Sequence, residues 1–154
     1  MRAFRGNRGF TLVEALVAMV VLSIGMLGIA ALGIESLRAS RAALVRTEAV
    51  TLATDMADRI RANRDAGDAY AGAAADAANL ECEAGGAGCS PAELAAHDLF
   101  IWGDAIAEAL PDGAGNVTHV DVDPNDGTPA IYVVTVSWNE PGHGQLEYVA
   151  RVET

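Results

Sequence analysis

From Phe10 to Ile34 the chain is predominantly apolar with a single charge, Glu14, and the twenty residues from Ala15 to Ile34 carry no charge at all. Twenty helical residues rise about 30 Å, which matches the hydrocarbon thickness of a bilayer. No proline falls between Phe10 and Arg64, so the pattern predicts one continuous helix from residue 10 to about 64. Beyond Glu35 the apolar run becomes amphipathic. Val45, Ala49, Leu52, Met56 and Ile60 recur at helical spacing and predict the face that a folded domain covers. Arg38, Arg41, Arg46, Asp55, Asp58, Arg59, Arg61 and Arg64 fall largely on the other sides and predict a solvated face. Asp55 and Arg59 form an i,i+4 pair worth a few tenths of a kcal/mol. Gly25, Gly28 and Gly33 permit close approach of a neighbouring helix; the competing reading is local loosening of the helix outside lipid.

From Asp65 to Ser90 the composition turns to Ala, Gly and Asp, which predicts a loop with only Tyr70 and Leu80 as core residues. Ser90-Pro91-Ala92-Glu93 is a capping box with proline at the first helical position. The helix it opens runs through Leu94, Leu99, Ile101, Trp102, Ile106 and Leu110 and stops at Pro111-Asp112-Gly113. Three strands follow. Val117–Asp123 alternates, Ile131–Trp138 is β-branched and aromatic, and Gln145–Glu153 alternates again. The turn residues Asn139 to Gly144 join the last two as a hairpin, and Pro124-Asn125-Asp126-Gly127 separates the first two. A small antiparallel sheet packed on the long helix, burying Val133, Trp138 and Val149, gives an α+β fold.

Charge sharpens the picture. Arg2, Arg5 and Arg8 precede the apolar run and acids follow it, an arrangement that places the N-terminus on the cytoplasmic side and the remainder outside. Glu14 is the anomaly. An acid at the centre of a spanning helix costs on the order of 2.5–3.5 kcal/mol, less near its end, and such groups usually have a partner. No Arg or Lys occurs between Phe10 and Glu35. If the chain were cut after Gly9, Phe10 would carry a new ammonium on the same helix face as Glu14, four residues away. Pairing of Glu14 with that amine, in its own chain or a neighbour's, would set the axial register of adjacent helices, because an unpaired charge in an apolar assembly is strongly disfavoured.

A basic leader ending in Gly9, then Phe10-Thr11-Leu12-Val13-Glu14 and a long apolar helix, resembles the type IV prepilin signal. The resemblance implies cleavage between Gly9 and Phe10 by the membrane prepilin peptidase, N-methylation of Phe10, and an assembly role for Glu14 through a neighbour's N-terminus. It implies a leader over residues 1–9, a transmembrane and assembly helix over 10–34, and a periplasmic head over 35–154 that includes the second half of the helix. An ordinary secretory signal would have a shorter apolar core, and a plain signal-anchor would leave Glu14 without a reason. Loss of the three leader arginines takes the net charge from −11 to −14, with no lysine in the chain. That balance excludes a nucleic-acid surface, which needs basic patches.

Cys82 and Cys89 are the two cysteines. In an exported domain such a pair most simply forms one disulfide; metal binding is the alternative, although two cysteines without a nearby histidine pair do not complete a tetrahedral zinc site. The two cysteines with Ser90-Pro91-Ala92-Glu93-Leu94, Asp98-Leu99, Trp102 and Leu110-Pro111 resemble, more loosely, the head of PilV-type minor pilins. That resemblance implies a structural subunit held in the inner membrane and extracted into a pilus. Its implied partners are other minor and major pilins and a tip adhesin, and its implied roles are assembly priming, adhesion and twitching motility. A minor pseudopilin of type II secretion shares the same leader and spine. A single-span membrane protein whose periplasmic domain works alone is the alternative from another class.

No catalytic, metal or cofactor motif stands out. Counting an EF-hand loop from Asp121, with Asp123 at the third place, puts Asp126 where glycine is needed and Tyr132 where glutamate is needed; a looser oxygen site on Asp121, Asp123 and Asp126 is the remaining calcium reading. His97, His119 and His143 are isolated and read as surface or half-buried side chains. No nucleophile elbow, phosphate loop or dinucleotide fingerprint occurs, so no cofactor is expected and an enzyme is not.

Overall fold

The computed structural model describes residues 11–73, 82, 88–120 and 129–154. Two compact units divide the chain, Met1–Arg41 and Ala42–Thr154, and a single helix, α1 (Leu12–Ala62), contributes to both. In the first unit α1 is exposed on every side. An apolar surface of this extent in one stretch exceeds what soluble monomers present.

In the second unit α1 buries Ala49, Leu52, Ala53, Met56, Ala57 and Ile60, with Val45 packed against the same core. This is the face the helical spacing predicts. Burying side chains such as Leu52, Met56 and Ile60 contributes about 1.5–3 kcal/mol each. Past Ala62 the chain makes a 3-10 segment, Arg64–Tyr70, and a two-residue strand, β1 (Gly72–Ala73). Neither is the featureless loop expected from composition. Tyr70 is fully buried and Ala66 nearly so, and burying the large tyrosine ring is what orders this alanine- and glycine-rich stretch. Leu80 lies outside the described residues.

The helix α2 (Pro91–Ala109) opens as the sequence predicts. The Ser90 hydroxyl accepts from Glu93 N at 3.3 Å, and the Glu93 carboxylate accepts from Ser90 N at 2.8 Å, a reciprocal cap. Leu99, Trp102, Ile106 and Leu110 are buried, whereas Ile101 is exposed, one residue off that stripe. The helix ends at Ala109 with Leu110 as its C-cap, and Asp112 takes a positive φ of 50° in the turn that follows.

The sheet is a four-stranded antiparallel meander in the order β1-β2-β3-β4, with β2 at Ala114–Val120, β3 at Ile131–Glu140 and β4 at Gly144–Glu153. Strand β2 starts three residues before the expected Val117, and Asp121 to Asp123 lie outside the described residues. A glycine, Gly115, sits inside β2 and pairs with Val136. The reason is steric. A Cβ on Gly115 would collide with the Trp102 ring and stand 2.7 Å from Ile106 Cδ1, so glycine lets α2 lie directly on the strand.

Strand parity also differs from expectation. Tyr132, Val134, Val136 and Trp138 face the core, paired with Val152, Ala150, Tyr148 and Leu146. Val133 is on the other face with Thr135, and Val149 is 47% exposed. Val133 and Trp138 are five residues apart, so a regular strand cannot bury both. Because β3 carries apolar or β-branched residues on both faces, only packing decides which set goes in. The hairpin closes over Pro141, Gly142 and His143, where Gly142 and Gly144 hold φ of 87° and 78° that favour glycine.

Candidate functional site

Helix α1 begins on a cap. Thr11 Oγ1 accepts from Glu14 N at 3.3 Å, and Ala15 N donates to Thr11 O at 3.2 Å. Thr11-x-x-Glu14 therefore places an acid in the first turn, at the positive end of the helix dipole. This T-x-x-E spacing is a legible helix-start signal that was not among the expectations above, and it gives Glu14 a local role besides any intermolecular one. Glu14 is exposed and makes no ion pair among the described residues. Gly9 and Phe10, the expected cleavage and methylation positions, lie outside the described residues. Immediately after the cap the helix is apolar and uncovered. Its most apolar 18-residue window has a mean hydropathy of 2.6 with none of it buried. Apart from the adjacent residues and the helix's own backbone, no described atom lies within 4 Å of where a Cβ would stand on Gly25, Gly28 or Gly33, so these positions remain open to a neighbour or to lipid.

The head is tied to its segment of α1 by two charged groupings that sequence spacing does not show. At the hairpin, Arg46 forks onto Glu140, with Nε to Oε2 at 2.9 Å and Nη2 to Oε1 at 2.7 Å. The Glu140 side chain is only 5% exposed. His143 Nδ1 lies 3.2 Å from the same carboxylate. The Arg46 hydrogen bond, ahead of any opposing desolvation, holds the Glu140 carboxyl below the usual glutamate range. Arg46 is raised by the same bond. A depressed carboxylate stabilises the fold fully above its unfolded value of about 4.3 and loses that contribution as pH falls through its folded value. Glu140→Gln is thus expected to remove part of the stability at neutral pH and to flatten the stability curve below about pH 4.3. Urea melts of the wild-type chain and the variant across pH 3–7 check this.

At the other end of this segment, Arg59 Nη1 donates to Asp98 Oδ1 at 2.8 Å and Nε to Asp55 Oδ2 at 2.9 Å. The Tyr70 hydroxyl donates to Asp98 Oδ2 at 2.6 Å. Asn63 Nδ2 reaches Pro91 O at 2.8 Å and Tyr70 Oη at 3.3 Å. One buried carboxylate on α2 thus joins α1 and the 3-10 segment. Burial pulls Arg59 down, but its bonds to Asp98 and Asp55 more than offset that and raise it. Burial and then the Asp98 bond push Tyr70 well up. The Asp55–Arg59 pair predicted from spacing is present. However, Arg46 and Arg59 are structural ties to Glu140 and Asp98 rather than members of a purely solvated face.

Cys82 and Cys89 form a disulfide with Cα atoms 5.5 Å apart, directly ahead of the Ser90 cap. Replacing both with serine is expected to lower stability by about 2–3 kcal/mol through the freed loop, measured as a drop in the denaturation midpoint.

The histidines are dispersed. His97 is buried at 6% exposure rather than half-exposed, because α2 turns it inward beside Asp98. His119 stacks on Tyr132 with ring centroids 4.7 Å apart. Among the described residues no group of three or more His, Cys, Asp or Glu is placed to hold a metal. Asp121, Asp123 and Asp126 lie outside the described residues.

Two family models match the chain. One, described as type IV pilin Tt1218, matches residues 31–100; the other, the prokaryotic N-terminal methylation motif, matches residues 4–30. No curated protein and no solved structure matches the chain. The first model takes in the second part of α1, the 3-10 segment, both cysteines and the start of α2. The second takes in Gly9, Phe10, Glu14 and most of the apolar run.

Proposed function

We propose that this chain is a type IV pilin, a reading supported by its matches to a type IV pilin model and to the N-terminal methylation motif, and that it is a minor pilin acting in pilus assembly and priming at the tip. The observation that carries the reading is the uncovered apolar helix on either side of Glu14, from Leu12 onward. Such a surface needs lipid first and other helices later. In this reading Met1–Gly9 is removed by the prepilin peptidase, Phe10 is N-methylated, and the chain waits in the inner membrane with its C-terminus periplasmic. Glu14 pairs with a neighbour's terminal amine and fixes register as the helix leaves the bilayer. The head, residues 35–154, with 20 acids against 7 arginines and thus −13 overall, selects its neighbours among other pilins and a tip adhesin and thereby supports adhesion and twitching motility. The looser PilV-type resemblance of the Cys82–Cys89 loop and α2 supports the pilus over type II secretion.

Mass spectrometry of the chain purified from its host tests the processing. A mature mass starting at methylated Phe10 is expected, and a retained leader contradicts the reading in favour of a plain anchored protein. Gly9→Ala is expected to retain much of the cleavage, whereas a bulky residue there blocks it, seen as accumulation of the longer species. Loss of surface pili on gene deletion, with exoprotein secretion intact, separates the pilus from the secretion reading.

A further inference from the structure

We propose that the outer edge of β4 is a strand-addition site for a different subunit, one that contributes an antiparallel edge strand with basic residues opposite Glu147 and Glu153 and an acid opposite Arg151. Strand β4 runs ten residues without a proline and pairs with β3 on one side. No described residue outside β3 bonds to its backbone. A free edge of that length is a template for another chain's backbone groups.

The side chains specify what fits. Glu147, Val149, Arg151 and Glu153 alternate along the outer face, and their neighbours across the sheet are Ser137, Thr135, Val133 and Ile131. None of those neighbours carries charge, and none of the three charges is in an ion pair among the described residues. Val149 stands 47% exposed between them. Directly opposed cross-strand pairs interact at about 0.2–1 kcal/mol each, so a complementary strand gains from all four positions.

Charge argues against a second copy of this chain as the occupant. Pairing β4 with β4 about Val149 would set Glu147 against Arg151 twice but leave each Glu153 opposite Gln145, with no cation to meet it. In a meander of four antiparallel strands the two edges run oppositely, so a neighbour in the same orientation offers its first edge antiparallel to β4. In this chain that edge is β1, of two residues, too short to cover β4. The fit is to a pilin-type subunit with a longer first edge.

The inference rests on the anchored-pilin reading, and its test separates the two. A photoreactive residue is placed at Val149 in the full chain in its host, with Thr118 on β2 as the control. The expected adduct joins Val149, but not Thr118, to another pilin at that partner's first edge strand. The double exchange Glu147→Arg with Arg151→Glu is expected to cut the yield about tenfold by turning attractive pairs repulsive, at unchanged melting temperature. An adduct only with a second copy, no adduct, or a yield indifferent to the exchange overturns the inference. Leader removal is scored on the same samples: a processed chain lacking the adduct overturns the edge site alone, whereas a retained leader overturns the pilin reading beneath it.

Discussion

Trp102→Ala is expected to cost the head about 3–5 kcal/mol, enough to leave much of it unfolded at physiological temperature. Three contacts converge on this ring. The indole is 1% exposed in the core between helix and sheet. Its Nε1 donates to Leu52 O on α1 at 2.9 Å, so truncation also removes a buried hydrogen bond. Its six-membered edge fills the place where any side chain at 115 would project. Alanine would leave a cavity bounded by Gly115, which has no side chain with which to fill it. Denaturation of the full chain in detergent, followed by tryptophan fluorescence from Trp138, measures the loss. Trp102→Phe should recover most of the packing and fall short by about 1–1.5 kcal/mol for the missing donor. Equal stabilities for alanine and phenylalanine would show that the ring does not hold α2 on the sheet.

The second large effect lies at the other end of the chain. Glu14→Ala is expected to leave leader cleavage intact and to reduce incorporation into pili by about tenfold or more, the factor for each 1.4 kcal/mol of lost pairing. Alanine also removes a first-turn acid, which complicates that single substitution. Thr11→Val resolves it. Valine removes the hydroxyl that accepts from Glu14 N but leaves the Glu14 charge for a terminal ammonium. If register depends on the ion pair, the Thr11 variant assembles normally and Glu14→Ala does not. If the role of this first turn is to start the helix, the Thr11 variant fails as well. Quantifying the subunit in sheared pili against the membrane pool distinguishes the two outcomes.

Much of this molecule was legible before folding. The length and apolarity of the helix, the buried stripe from Val45 to Ile60, and the Ser90–Glu93 cap are local properties, fixed by spacing along one element. The position of the hairpin was likewise set by turn chemistry at Pro141, Gly142 and Gly144. What was misjudged depended on partners distant in sequence. Val133 and Val149 were expected inside because both are good strand residues, and only the pairing register puts Tyr132, Val134 and Val136 on the core side. The need for glycine at 115 arises only because Trp102 lies upon it. The 3-10 segment has no periodic signal and exists because Tyr70 reaches Asp98, 28 residues on.

Sequence alone determined the apolar span, the lone Glu14 near its head, the acidic balance and the order of elements, because each follows from residues within a turn or two of one another. The tertiary structure decided which charges are structural. Arg46 meets Glu140 across 94 residues and Arg59 meets Asp98 across 39, and no spacing rule links them. Folding brings each pair to hydrogen-bond distance in a partly buried setting, where leaving either charge without its partner is costly.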